Sequence, residues 1–203
     1  MTDRGPHQTR AQTLRSIARR SPLLLVILAF TSICGSVAVG EIIGSAVRPV
    51  PKGYDTYVNA RFGYSVAYPH GILFPQGESE NGDGQHITSK HRDVDLAVWG
   101  SLNTLDETTK DLYKEFKTEG YANDRASTTL RITYAVVKKN WLVVSGYEDG
   151  KVVYYKAVLD KDGEIGMTFV YPIKEKAQFD PIAAKITASF ARSSAPPMQS
   201  LAR

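Results

Sequence analysis

The chain has 203 residues, 25 of them basic and 21 acidic, for a formal net charge of +4. Six of the basic and two of the acidic residues precede residue 49, so the remaining 155 residues carry 19 of each sign and are neutral. Neutrality there excludes the basic face that phosphate binding requires, and with it nucleic acid as a partner.

Residues 1–20 hold Arg4, Arg10, Arg15, Arg19 and Arg20 against Asp3 and read as a polar, basic tail. From Pro22 to Gly40 no charged residue occurs over 19 positions. At 1.5 Å per residue a helix of that length spans about 28 Å, one hydrocarbon core. Ser21 and Pro22 supply an N-cap and a first helical position. The segment 21–47 is therefore expected to be a transmembrane signal-anchor. The basic flank should stay in the cytoplasm, which puts everything after residue 48 on the far side of a bacterial inner membrane, in the periplasm or outside the cell. A cleaved signal peptide is the alternative, since Ser36-Val37-Ala38 and Ala38-Val39-Gly40 offer small-x-small sites. The run exceeds the 7–15 residues usual for a signal core, which favours retention. Arg19-Arg20 lacks the continuation of a twin-arginine signal. Cys34 follows Ile33 and not a small residue, so it reads as an apolar helix position and not as a lipid attachment site. As the only cysteine, it leaves the exported part without a disulfide, and four histidines do not complete a structural zinc set.

Residues 48–53, with Pro49, Pro51 and Gly53, read as a linker, and 192–203 as a loose tail. Between them, 54–191 reads as one strand-rich domain. Gly63–Tyr68 is a strand ended by Pro69. His86–Ser89 and Val94–Trp99 are short strands about a charged turn. Leu105–Glu119 is a helix with Leu105, Leu112 and Phe116 on one face, ending at Gly120. Leu130–Val137 alternates, with Leu130, Ile132, Tyr134 and Val136 on one face. Trp141–Tyr147, Val152–Leu159 and Ile165–Tyr171 complete a four-strand antiparallel meander. Its turns are Lys139-Asn140, Glu148-Asp149-Gly150 and Asp160–Gly163. Asp180-Pro181 is expected to open a closing helix whose Ile182, Ile186 and Phe190 face the sheet, while Lys185 and Ser189 face water. A single antiparallel sheet with helices packed on it, an α+β fold, is the expected architecture.

Tyr57-Val58-Asn59-Ala60-Arg61-Phe62-Gly63-Tyr64-Ser65-Val66-Ala67-Tyr68-Pro69 resembles the opening of the PsbP-like and Mog-type domains, in which an aromatic-Gly-aromatic strand runs into a proline turn. The later order of hairpin, helix, meander and closing helix is also similar. So are Asn81-Gly82-Asp83-Gly84-Gln85 and the segment from Val144 to Gly150. The resemblance spans about 57–190 and implies an α/β/α sandwich on one antiparallel sheet. Domains of that kind act mostly as binding or assembly modules, with no shared catalytic set. No functional residue is therefore transferred.

Each chemical candidate has a plainer structural reading. Asp83 in the polar stretch 76–85 offers a carboxylate to a cation, but the ligand spacing of a calcium loop is missing, and a turn accounts for it. Asp160–Glu164 sits between strands and reads as a hairpin turn. His70, His86 and His91, near Asp93 and Asp95, are the material for a general base or a metal site. Their spacing matches no ligand pattern, and solvated turn histidines account for them. Ser145-Gly146 lies within a strand, not at a nucleophile elbow. No catalytic residue, cofactor or metal ligand is assigned. The expectation is a membrane-anchored binding module with a protein partner in the envelope and no catalysis of its own. The alternative is an extracytoplasmic hydrolase or metal-dependent enzyme using the 70–95 region.

Overall fold

Antiparallel pairing dominates the computed structural model, which describes residues 50–121, 127, 129–161 and 163–193. The basic tail, the apolar run and most of the C-terminal tail lie outside the described residues. Among the described residues no helix is long and apolar enough to cross a membrane.

The strands and helices, in chain order, are β1 (Tyr54–Asn59), β2 (Tyr64–Pro69), β3 (Phe74–Glu78), β4 (Gly84–Thr88), β5 (Asp95–Ser101), α1 (Thr109–Glu119), β6 (Arg131–Val137), β7 (Trp141–Glu148), β8 (Lys151–Asp160), β9 (Gly163–Pro172), a 3-10 turn (Ile173–Glu175), α2 (Lys176–Ser189) and β10 (Ala191–Arg192). They form two sheets and not the one expected. A seven-stranded sheet runs β3-β4-β5-β9-β8-β7-β6, and a three-stranded sheet runs β1-β2-β10. The second sheet exists because β2 is occupied on both sides. Its register with β1 runs from Tyr54↔Pro69 to Asn59↔Tyr64, and β10 takes its other edge at Ala191↔Ser65. The meander β6–β9 is as expected. Its Asp149-Gly150 turn has positive φ at both residues, 47° and 75°, as a two-residue hairpin of matching twist requires.

The large sheet has two covered faces. Alternation along β9 sends Ile165, Met167, Phe169 and Tyr171 to one cluster, with Tyr64, Phe179, Ile186 and Phe190. The small sheet and α2 therefore share that face. Trp99, Val153, Tyr155 and Ala157 point the other way and meet Leu112 and Phe116 of α1. The two helices thus lie on opposite faces of the large sheet.

Both helix starts differ from expectation. Helix α1 begins at Thr109, not Leu105, which is 80% exposed. Thr108 is the true N-cap, and Asp111 bonds back to the Thr108 N–H at 2.9 Å, closing a capping box. Helix α2 begins at Lys176, wound on from the 3-10 turn, so Pro181 lies inside it. Asp180 is no cap. It accepts from the Tyr171 hydroxyl at 2.6 Å and pairs with Lys176. The helix passes through Pro181 because Phe179, Ala183 and Ile186, on either side of it, are anchored in the core. Ser189 is not turned to water: its Oγ donates to the Ile186 carbonyl and accepts from the Ala67 N–H at 2.9 Å.

Candidate functional site

The candidate residues of the 70–95 region are brought to several places. His70 Nδ1 lies 2.8 Å from Asp55 across the exposed end of the β1–β2 hairpin. Asp93 accepts from the Ser89 hydroxyl at 2.6 Å, and that bond holds its carboxyl below the usual range. His91 is exposed in the same turn. Asp83 is buried, but it closes the β3–β4 loop upon itself by accepting from Ser79 and from Asn81 Nδ2. Asp160 is held by both Nε and Nη2 of Arg192 at 2.8 and 2.9 Å. Ser145 sits mid-strand in β7.

His86 and Asp95 form a second His–carboxylate pair, and unlike His70–Asp55 it is held largely out of solvent. They stand on adjacent strands, with Nδ1 at 2.9 and 3.0 Å from the two carboxylate oxygens. Their side chains keep 18% and 11% exposure. Register places His86 beside Ala97, and Ala97 beside Thr168, on the face that α1 partly covers. Among the described residues no three His, Cys, Asp or Glu side chains are grouped to hold a metal ion.

On that same face lies a concavity of about 290 Å³, counted with its open mouth and lined by Trp99, Phe116, Tyr121, Tyr155 and Thr168. Its rings are stacked. Phe116 and Tyr155 are 4.8 Å apart and 17° from parallel, and Tyr155 lies 6.1 Å from Trp99. The Trp99 indole donates to the buried Glu164 at 3.2 Å. Gly166 makes room for that indole: a Cβ there would stand 2.3 Å from the ring. These aromatics are held by each other and act first as core.

The opposite face changes character from the sheet's centre to its edge. Strand β9 is almost wholly buried. In β8, Tyr154, Lys156 and Val158 are half-buried. The Lys156 ammonium donates to the carbonyls of Thr187 and Phe190 at 2.7 and 2.8 Å, so the end of α2 reaches β8. In β7 the outward residues Trp141, Val143 and Ser145 are half-buried, between fully buried Leu142, Val144 and Gly146. In β6, Tyr134 is 55% exposed. A register shift between Ile132 and Tyr134 breaks the expected single apolar face of that strand. Ile132 joins the α1 side, while Tyr134 turns to the uncovered side. Strand β6 ends the sheet, and among the described residues nothing pairs with its outer edge. This open aromatic face at β6–β7 was not legible from composition, because eleven tyrosines are spread along the chain. The bulge and the reach of α2 decide which of them are exposed.

No family model matches the chain, and no curated protein matches it. Among solved structures, the solution structure of cyanobacterial PsbP (CyanoP) from Synechocystis sp. PCC 6803 is similar, with a TM-score of 0.52. The match covers 78% of this chain and 98% of that one at 14% identity. The fold is PsbP-like. At that identity the likeness speaks for the fold alone.

Proposed function

We propose that the protein is a binding or assembly module held by its N-terminal apolar helix at the outer side of a bacterial inner membrane, acting through contact with an envelope partner and not through catalysis. The observation that carries this reading is the uncovered face at β6–β7. There an unpaired edge strand and the partly exposed side chains of Tyr134, Val136, Trp141 and Val143 adjoin one another. Exposed apolar surface joined to a free strand edge is characteristic of docking surfaces, and aromatic residues are enriched in them.

Photo-crosslinking in native membranes tests it. A photoreactive side chain at Tyr134 should give defined adducts, while the same group at exposed Lys185 on α2 should give few. Equal labelling from both positions, or none from Tyr134, would sink the reading.

The His86–Asp95 pair favours a second reading, an extracytoplasmic hydrolase or metal-dependent enzyme. It predicts that His86→Ala abolishes function while leaving membrane delivery and crosslinking intact.

A further inference from the structure

The geometry points to a specific occupant for the open β6–β7 face: an anionic phospholipid surface, against which the hairpin lies as an interfacial contact. This rests on the proposal that the apolar run 22–40 spans a bilayer, and it goes beyond it by making the lipid surface itself, and not an envelope protein, the partner of the β6–β7 face.

Three observations select lipid. The first is the pairing of side-chain types. Tyr134, Val136, Trp141 and Val143 are partly exposed on one face of the hairpin. Aromatic rings with one polar edge partition to the headgroup level of membranes. The second is charge. The turn that joins the two strands is Lys138-Lys139-Asn140, exposed at all three residues, and Arg131 is exposed at the other end of β6. Neither lysine ammonium nor the Arg131 guanidinium has an acidic partner among the described residues. Asp160, at the adjoining sheet end, is already neutralised by Arg192. Asp111, on the other side of the sheet, is engaged in the α1 cap. The face thus carries three cations at its rim and is apolar at its centre, within a domain (54–191) that as a whole holds 16 basic and 19 acidic residues. Each such cation near an anionic leaflet strengthens binding about fivefold, and salt weakens it.

The third observation is reach. Only residues 41–53 separate the uncharged run from β1. Thirteen residues extend at most about 45 Å, little more than the diameter of a domain of this size. The tether therefore keeps the domain within about 45 Å of the bilayer at high local concentration, so a weak contact is enough to orient it.

Intrinsic fluorescence of the full chain in vesicles tests the proposal, because the two tryptophans report different places. Trp99 is 1% exposed in the core, whereas Trp141 lies on the open face. The protein is reconstituted into phosphatidylcholine vesicles with or without phosphatidylglycerol, made with ordinary or brominated acyl chains. The expected result is quenching of Trp141 by brominated chains only when phosphatidylglycerol is present, with Trp141→Phe giving the background from Trp99. Quenching should fall several-fold in the double variant K138E/K139E, in Tyr134→Ser and at about 0.5 M salt. These positions are exposed, and unchanged circular dichroism confirms that each variant is folded. A chain that floats with both kinds of vesicle while Trp141 emission ignores the bromine overturns the proposal and leaves the anchor intact. Flotation with anionic vesicles alone sinks the anchor and keeps the lipid face. Flotation with neither at low salt sinks both. Quenching that survives charge reversal, or a Trp141 change that tracks protein density and not lipid charge, also overturns the proposal, the latter pointing to a second copy of the chain on β6.

Discussion

At the scale of single residues, the interior is set by a few side chains that need particular neighbours to be small or polar. Gly166 is one. It lies in β9 beside Trp99 of β5, and the indole occupies the space a Cβ would need. Gly166→Ala should therefore overpack the layer beneath α1. Inserting a methyl group against a packed ring costs about 1–3 kcal/mol, because the ring must leave its preferred position and contacts. We expect a lower unfolding midpoint, measured by urea denaturation, together with a shifted Trp99 emission as the indole loses its bond to Glu164. An unchanged midpoint and spectrum would mean that the ring does not rest on this glycine. Polar burial follows the same rule. The Tyr64 hydroxyl donates to the Asp83 carbonyl at 2.9 Å, and burial pushes its ionisation far above the ordinary tyrosine range.

At the scale of elements, legibility followed the strength of the local signal. The meander β6–β9 was readable because β7 and β8 alternate over most of their length and the Asp-Gly turn between them has a definite geometry. Strand β3 was not, since Phe74-Pro75-Gln76-Gly77-Glu78 is exposed throughout and carries both a proline and a glycine. Only pairing with β4 makes it a strand. The start of α2 was misplaced because Asp180-Pro181 imitates a helix opening, while Tyr171 on β9 and Lys176, one helical turn back, claim the carboxylate.

The caps and contacts of the helices give two tests. The Thr108 hydroxyl and backbone N–H hold the Asp111 carboxyl below the ordinary value. A group with a depressed native pKa stabilises the fold fully above its unfolded value, near 3.9, and loses that contribution as the pH falls through its native value. Asp111→Asn should thus weaken α1 at neutral pH. The difference from the parent should close as the pH drops below about 4, followed by denaturation at a series of pH values. A gap that is constant with pH would remove Asp111 from the cap. At the C-cap of α2, Phe190 is wholly buried against Tyr64, whereas Lys185 within the helix is exposed above the Tyr54 ring. Phe190→Ala should cost about 3–5 kcal/mol, and Lys185→Ala no more than about 0.5 kcal/mol. Residues 50–193 expressed alone provide the measurement. Equal small losses would mean that α2 does not dock.

At the scale of the whole molecule, the candidate site was the least legible part, for a physical reason. Sequence spacing drew attention to histidines and carboxylates between 70 and 95. Strand pairing then distributed them over turns and opposite faces, and brought together only His86 and Asp95. The open β6–β7 face arises from where α2 ends and where β6 bulges, and both are set by tertiary packing. From the sequence we also propose a direction across a membrane, and that proposal can be tested. The excess positive charge sits wholly before the uncharged run, with Arg10, Arg15, Arg19 and Arg20 within thirteen residues of Pro22. A basic flank resists translocation, so it fixes which side the following domain reaches. A reporter enzyme active only outside the cytoplasm, fused after Arg203, should therefore be active in cells making the parent protein. Replacing those four arginines with neutral residues should lower that activity and raise the signal of a matching cytoplasmic reporter, while the amount of membrane-associated protein stays the same. Cytoplasmic activity from the unaltered protein would reverse the orientation. It would also place the β6–β7 face against the inner leaflet, where the same lysines would still meet anionic lipid but on the other side of the bilayer.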